Sequence, residues 1–273
     1  MTATIPAPVT VPPPAPERAR SGPSTLRHGL TLAWRGVVKT INSPEALLDV
    51  TLQPVIFLLL FVYVFGGAIS GDTTTYLQFA LPGVLVQTVV FASVGTGVAL
   101  AEDLHTGIFD RFRSLPISRA APLIGAIGAD LVRYLTSGVI MLVFGMILGF
   151  RFGTDPLSVV GALALVMAFS FALCWVFTAL ALVVGQPRSV QGLSVLVILP
   201  LTFGSNVFVP ADTMPGWLRW FVEVNPVSAV ANAVRGLLTG GPVVGPATIA
   251  LVFAAAITAV FAPLAVTLYR RRT

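Results

Sequence analysis

Six runs of about twenty apolar residues constrain this chain more than any other feature: Val50 to Ile69, Tyr76 to Leu100, Leu131 to Phe150, Leu157 to Val184, Val190 to Val209 and Ala247 to Leu268. A helix rises about 1.5 Å per residue, so each run is long enough to cross the roughly 30 Å hydrocarbon core of a bilayer. Only 10% of the residues are charged, and mean hydropathy is +0.91. An ordinary soluble domain carries about 25% charge. The sequence therefore predicts an all-α integral membrane protein with six transmembrane helices, which puts both chain ends on the same side.

Outside these runs the chain changes character. Residues 1–24 hold seven prolines and almost no large apolar side chains, the composition of a disordered Pro-rich tail. No basic segment followed by an apolar core and a small-residue cleavage site is visible there, so no signal peptide is expected. From 25 to 48, Leu30, Trp34, Val37, Val38 and Ile41 recur at near-helical spacing opposite Arg27, Arg35 and Lys39. This spacing predicts an amphipathic interfacial helix. Ser43, Pro44 and Glu45 supply a helix start. Residues 49–273 make up the six-helix transmembrane domain. The single cysteine, Cys174, lies in an apolar run and reads as a packing residue.

Basic residues fix an orientation. With the N-terminus in the cytoplasm, thirteen of the sixteen Lys and Arg fall inside, leaving Arg151, Arg219 and Arg235 outside. That asymmetry predicts cytoplasmic N- and C-termini, and the use of Arg for fifteen of the sixteen basic residues points to a GC-rich bacterial genome, hence a bacterial inner membrane. The same excess, with a sequence pI near 10.1, is accounted for by cytoplasmic loops and does not call for nucleic acid.

Charge is concentrated between the second and third runs, in EDLHTGIFDRFRSLPISR. Ile108, Phe109, Phe112 and Leu115 share one face of a two-turn helix, with Asp110, Arg111 and Arg113 on the other. Gly107 allows a break before it, and Pro116 ends it. Two readings fit this periodicity. One is a helix lying on lipid headgroups; the other is a peg seated in a groove of a soluble partner. Glu102 and Asp103 lean towards the peg, because carboxylates gain nothing at an anionic surface.

The chain carries no energy source of its own. Its only lysine, Lys39 in RGVVKT, lacks the glycine-rich turn of a phosphate-binding loop. Coupling to protons or sodium needs ionisable groups inside the bundle, and the runs are nearly free of them. Asp130 and Arg133 read as a local i, i+3 pair near a cytoplasmic end. A membrane enzyme would need clustered Asp or His, which is missing; a non-transporting scaffold stays open. His28 and His105 have no Cys or acidic cluster that would make a metal site, and His105 reads as a solvated loop residue. Gln53 and Gln87 are the uncharged polar groups available to a substrate path. Trp175 reads first as helix packing and second as path lining, and Trp34, Trp217 and Trp220 read as interfacial anchors.

Residues 210–246 are longer than a turn and hold two short segments, WLRWF and SAVANAVRGLL. Each is too brief to span, as in a re-entrant hairpin buried against protein. Taken with SPEALLDVTLQPVIFLLLFVYVFGG, EDLHTGIFDRFRSLPISR and VPADTMPGWLRWFVEVNPVSAVANAVRGLL, the stretch from about Leu30 to Arg270 resembles the permease subunits of type 2 ABC exporters. The likeness is strongest to the branch associated with daunorubicin and doxorubicin resistance. The resemblance implies a permease without catalytic or cofactor-binding residues, with ATP and Mg held by a separate soluble P-loop ATPase. It implies a second permease copy, a hydrophobic small-molecule substrate (a lipid or glycolipid being the alternative), and contact with membrane lipid. It also implies that the loop after the second span is a cytoplasmic coupling helix, with Glu102, Gly107, Arg111, Pro116 and Arg119 matching its pattern. Pro210, Pro215, Asn225, Pro226 and Arg235 match the re-entrant segment, which faces outside and holds Trp217.

Overall fold

The computed structural model describes residues 44–106 and 121–272. The tail 1–24, most of the interfacial helix expected at 25–48, and the residues expected to form the coupling helix, Gly107, Phe109, Asp110, Arg111, Phe112, Arg113, Pro116 and Arg119, lie outside the described residues.

Helix α1 (Pro44–Leu60) starts at the proline that the sequence marks as a helix start, and it runs on without interruption into the first apolar run. It continues through one π-helical turn (Phe61–Phe65) into the short α2 (Gly66–Ser70). Gly71 reverses the chain at φ 80°, a left-handed conformation that favours glycine. Asp72 then caps α3 (Thr73–His105), accepting from the backbone N–H groups of Thr74 and Thr75 at 2.7 and 2.9 Å. Hydrogen bonds from the Thr74 and Thr75 hydroxyls hold its carboxyl well below the usual carboxylate range. Helix α4 covers Ala121–Ile147 and α5 covers Pro156–Val184. Gly185, at φ 76°, ends α5, and Pro187 opens α6 (Pro187–Phe203). A non-helical stretch, 204–210, and one 3₁₀ turn (Ala211–Thr213) lead to α7 (Gly216–Val224) and α8 (Pro226–Thr239). The last helix, α9, covers Val244–Arg272.

Helix α3 is the axis of the bundle. It packs against α1, α2, α4, α5, α6 and α8, and 72% of its apolar window is buried, against 17% for the windows of α1 and α9. Its close neighbours are admitted by glycine. A Cβ on Gly97 would lie 2.7 Å from the Phe177 carbonyl oxygen of α5, and one on Gly83 would lie 2.6 Å from the Val207 carbonyl oxygen. The outer faces of α1, α4, α6 and α9 leave Leu52, Ile56, Ile147, Leu196, Val252 and Val260 exposed, a surface suited to lipid.

Among the described residues, five helical segments are long and apolar enough to cross a membrane: Leu52–Ser70, Thr73–His105, Gly125–Ile147, Pro156–Val184 and Val244–Tyr269. The run expected at Val190–Val209 differs. Its helix, α6, stops at Phe203 after 17 residues, about 25 Å of rise, and the remainder is non-helical. The third run also differs, since α4 starts at 121, ten residues before Leu131. Asp130 and Arg133 therefore lie inside a helix, not at its margin. Their charges do not break it because each compensates the other.

Candidate functional site: a polar cavity beside the central helix

A cavity of about 330 Å³ lies between α1, α3, α4 and α6. Gln53 and Phe57 come from α1, Gln87 and Phe91 from α3, Arg133 from α4 and Gln191 from α6. The two glutamines singled out in the sequence, far apart along the chain, thus share one space. Trp175 is not among the lining residues. It is buried in α5 with its ring edge-on to Phe171 at 6.0 Å, a packing role.

Arg133 connects the cavity to a partly buried polar cluster that joins three helices. Asp130 Oδ1 pairs with Arg133 Nη2 at 2.9 Å. The Thr96 hydroxyl donates to Asp130 Oδ2 at 2.6 Å, and it lies 2.8 Å from the Tyr134 hydroxyl and 3.5 Å from Cys174 Sγ. Tyr134 donates to the Ala92 carbonyl at 2.8 Å. Both oxygens of Asp130 are thereby engaged, and the guanidinium is held from one side. The Nε of Arg133 and the Oε1 of Gln87 are enclosed without a hydrogen-bond partner among the described residues. Such orphans are expensive in a low-dielectric setting. Sequence reasoning treated Asp130 and Arg133 as a local i, i+3 pair, which the 2.9 Å contact bears out, without linking it to a cavity, and passed over Gln191. The signal that identifies them is an ionisable pair followed by Tyr134 within an otherwise apolar span.

A second polar system sits at the opposite end of α3. The non-helical stretch after α6 is buried at Ser205, Asn206, Val207 and Phe208, and side chains take carbonyls of this stretch and of the last turn of α6. Asn225 Nδ2 donates to Leu201 O at 2.7 Å and Gly204 O at 2.9 Å. Arg235 Nη2 donates to Asn206 O at 3.1 Å, and the Tyr76 hydroxyl donates to Phe208 O at 2.8 Å. Arg235 also reaches Phe79 O at 3.2 Å and Asn232 Oδ1 at 2.9 Å, with its guanidinium 4.0 Å from the centre of the Phe79 ring. Asn225 caps α8 through its Oδ1, which accepts from Val227 N–H at 2.8 Å, and Pro226 is the first residue of that helix.

Three of the residues assigned to the late segment thus act together, whereas Pro210 and Pro215 only set where the 3₁₀ turn and α7 begin. Trp217 is 74% exposed on the outer face of α7. Glu102 is exposed in the last turn of α3; of the residues that the resemblance assigns to coupling, it alone is among those described.

Residues 28–239 match the family described as ABC-2 type transporter. The chain is 43% identical over 257 residues to a daunorubicin resistance ABC transporter permease of Streptomyces coeruleorubidus, covering 94% of this chain and 89% of that one. It is 30% identical over 222 residues to a probable doxorubicin resistance ABC transporter permease of Mycobacterium tuberculosis, covering 80% and 79%. A putative transport permease of Cyanophora paradoxa is 29% identical over 221 residues, covering 78% and 74%. A chain built around one central apolar helix, matched by relatives over most of its length, belongs to the ABC-2 type transporter family as a membrane permease.

Proposed function

We propose that this chain is the membrane half of an ATP-driven exporter, moving flat, amphipathic, drug-like compounds with a separate P-loop ATPase and a second permease copy. The cavity carries this reading. Its aromatic walls, Phe57 and Phe91, suit an apolar ring system, and Gln53, Gln87 and Gln191 orient its polar edge without the cost of burying a free charge. The relatives named for daunorubicin and doxorubicin resistance support a compound of that kind.

In this reading α6 and the stretch 204–209 together make a sixth crossing, with the termini in the cytoplasm of a bacterial inner membrane. The segment from α7 to α8 is a re-entrant hairpin on the outer side, and Asn225 with Arg235 serves as its latch. The loop Glu102–Arg119 meets the ATPase, which binds the ATP and Mg.

Co-expression with the cognate ATPase is expected to lower cellular retention of a fluorescent anthracycline, and replacing the Walker lysine of that ATPase abolishes the effect. Unchanged retention, together with a lipid-linked precursor accumulating in a deletion strain, would replace drug export with lipid export. The loop has its own test. Phe112→Ala combined with Arg111→Glu is expected to reduce co-purification of the ATPase while membrane insertion persists, since a buried Phe truncation costs about 3 kcal/mol. Undiminished co-purification assigns the loop to the lipid surface.

A further inference from the structure

Beyond the cavity, α1 and α3 converge on one short piece of chain. On α3 the lining residues run from Val98 back to Gln87. One turn further towards the start of that helix, Gly83 admits the backbone of Val207, and two turns beyond it the Tyr76 hydroxyl donates to the Phe208 carbonyl at 2.8 Å. On α1, Phe57 lines the cavity, and Phe61, one turn on, stacks on Phe208 with ring centres 4.1 Å apart. The stretch holding Val207 and Phe208 therefore lies at the end of the cavity away from His105.

Four rings form a near-parallel series there. The centres of Phe57 and Phe61 are 6.3 Å apart with planes at 16°, those of Phe61 and Phe208 meet at 18°, and Phe208 and Phe203 are 5.6 Å apart at 25°. The series starts in the cavity wall, passes through the buried Phe208, and ends at Phe203, which is 50% exposed. Phe61 opens the π-helical turn Phe61–Phe65, a departure from α-helix that often marks a functional position. Tyr76 anchors Phe208 by its backbone, so the ring is able to turn about χ1 without releasing the carbonyl. Stacking of two rings is a modest contact, and a flat aromatic ligand returns it to each ring that it parts from a neighbour. A ligand without a π face does not.

We infer that Phe61 and Phe208 form an aromatic gate at the far end of the cavity, which a flat ring system passes by taking the place of Phe208 on Phe61. This rests on the cavity being the substrate path. Phe57 delivers the ligand to the gate, and Phe203 receives it on the outer face of α6.

Phe61→Cys and Phe208→Cys, in a Cys174→Ala background, are bridged by a short bifunctional methanethiosulfonate, and the chain is reconstituted with its cognate ATPase in proteoliposomes. ATP-driven transport of a fluorescent anthracycline is expected to fall about tenfold on bridging and to return on reduction, as for any step that opening of a gate limits. Anthracycline binding, read by fluorescence anisotropy, is expected to stay within about twofold. Phe61→Leu with Phe208→Leu keeps apolar side chains but removes both π faces, and the same split between slowed transport and retained binding is expected. Transport at the unbridged rate across the bridge, or at the wild-type rate in the Leu pair, overturns the gate. Loss of binding in either makes the two rings part of the binding wall and overturns it as well. The underlying reading has its own control. Gln53→Ala with Gln191→Ala, at two exposed lining positions, is expected to weaken binding about fivefold. Binding that this pair leaves untouched removes the cavity as the path, and the gate with it. A wild-type complex that binds the anthracycline without transporting it overturns the export reading and the gate together.

Discussion

Gly97 shows how much depends on a single missing methyl group. The missing Cβ lets the α5 backbone at Phe177 approach α3 directly, beside the contact from Thr96 to Cys174. At Gly145 of α4 the same Cβ would meet only the end of the Leu81 side chain, which is able to change rotamer, whereas a backbone carbonyl within a helix cannot. Gly97→Ala is therefore expected to destabilise the protein by about 1–3 kcal/mol, and Gly145→Ala by less. Thermal unfolding in one detergent checks the order, and an equal or reversed pair of melting temperatures contradicts it. Residue identity also explains why Arg133 escaped a reading from sequence. Spacing announced a pair with Asp130, but the third partner, Thr96, lies 34 positions away from Asp130, and no local pattern encodes that meeting.

At the scale of elements, α6 and α8 are terminated by the same side chain. Asn225 accepts from the first turn of α8 and donates to two carbonyls at the end of α6, which an isolated helix leaves without partners. Backbone at membrane depth that has left the helix is tolerated only when protein satisfies it. Asn225→Ala is expected to cost about 1–3 kcal/mol and to loosen the connection from 204 to 216. Limited proteolysis of the reconstituted protein should then cut between α6 and α8 faster than in the wild type, and an unchanged cleavage rate would show that Arg235 and Tyr76 hold the stretch without it. The break in α6 was not legible in the sequence, because Gly204, Ser205 and Asn206 interrupt an apolar run without a charge. Their polar groups are read as solvent-seeking or protein-seeking only when the neighbouring helix is known.

For the whole molecule, the proposed orientation rests on the uneven distribution of basic residues, thirteen against three when six crossings are counted. Single cysteines at Ser114 and Thr213, each in a Cys174→Ala background, report it when intact cells are treated with an impermeant thiol reagent. Labelling is expected at Thr213→Cys, in the exposed turn before α7, and not at Ser114→Cys. The opposite pattern inverts the topology and would move the ATPase contact away from the loop 102–119.

Apolar runs and charge asymmetry are local properties, and each follows from the transfer of side chains or charges between water and lipid. That is why α1, α3, α5 and α9, and the helix start at Pro44, could be read from the sequence. The same reasoning grouped Gln53 with Gln87, as polar residues without a local purpose. The tertiary structure alone decided that α3 is the axis, that α4 reaches back to residue 121, and that Arg133 and Gln191 join the two glutamines around one cavity. Those outcomes depend on which faces meet. Among helices that are apolar all round, the periodicity that would name a buried face is lost, and close approach at glycine and buried hydrogen bonds choose the neighbours instead.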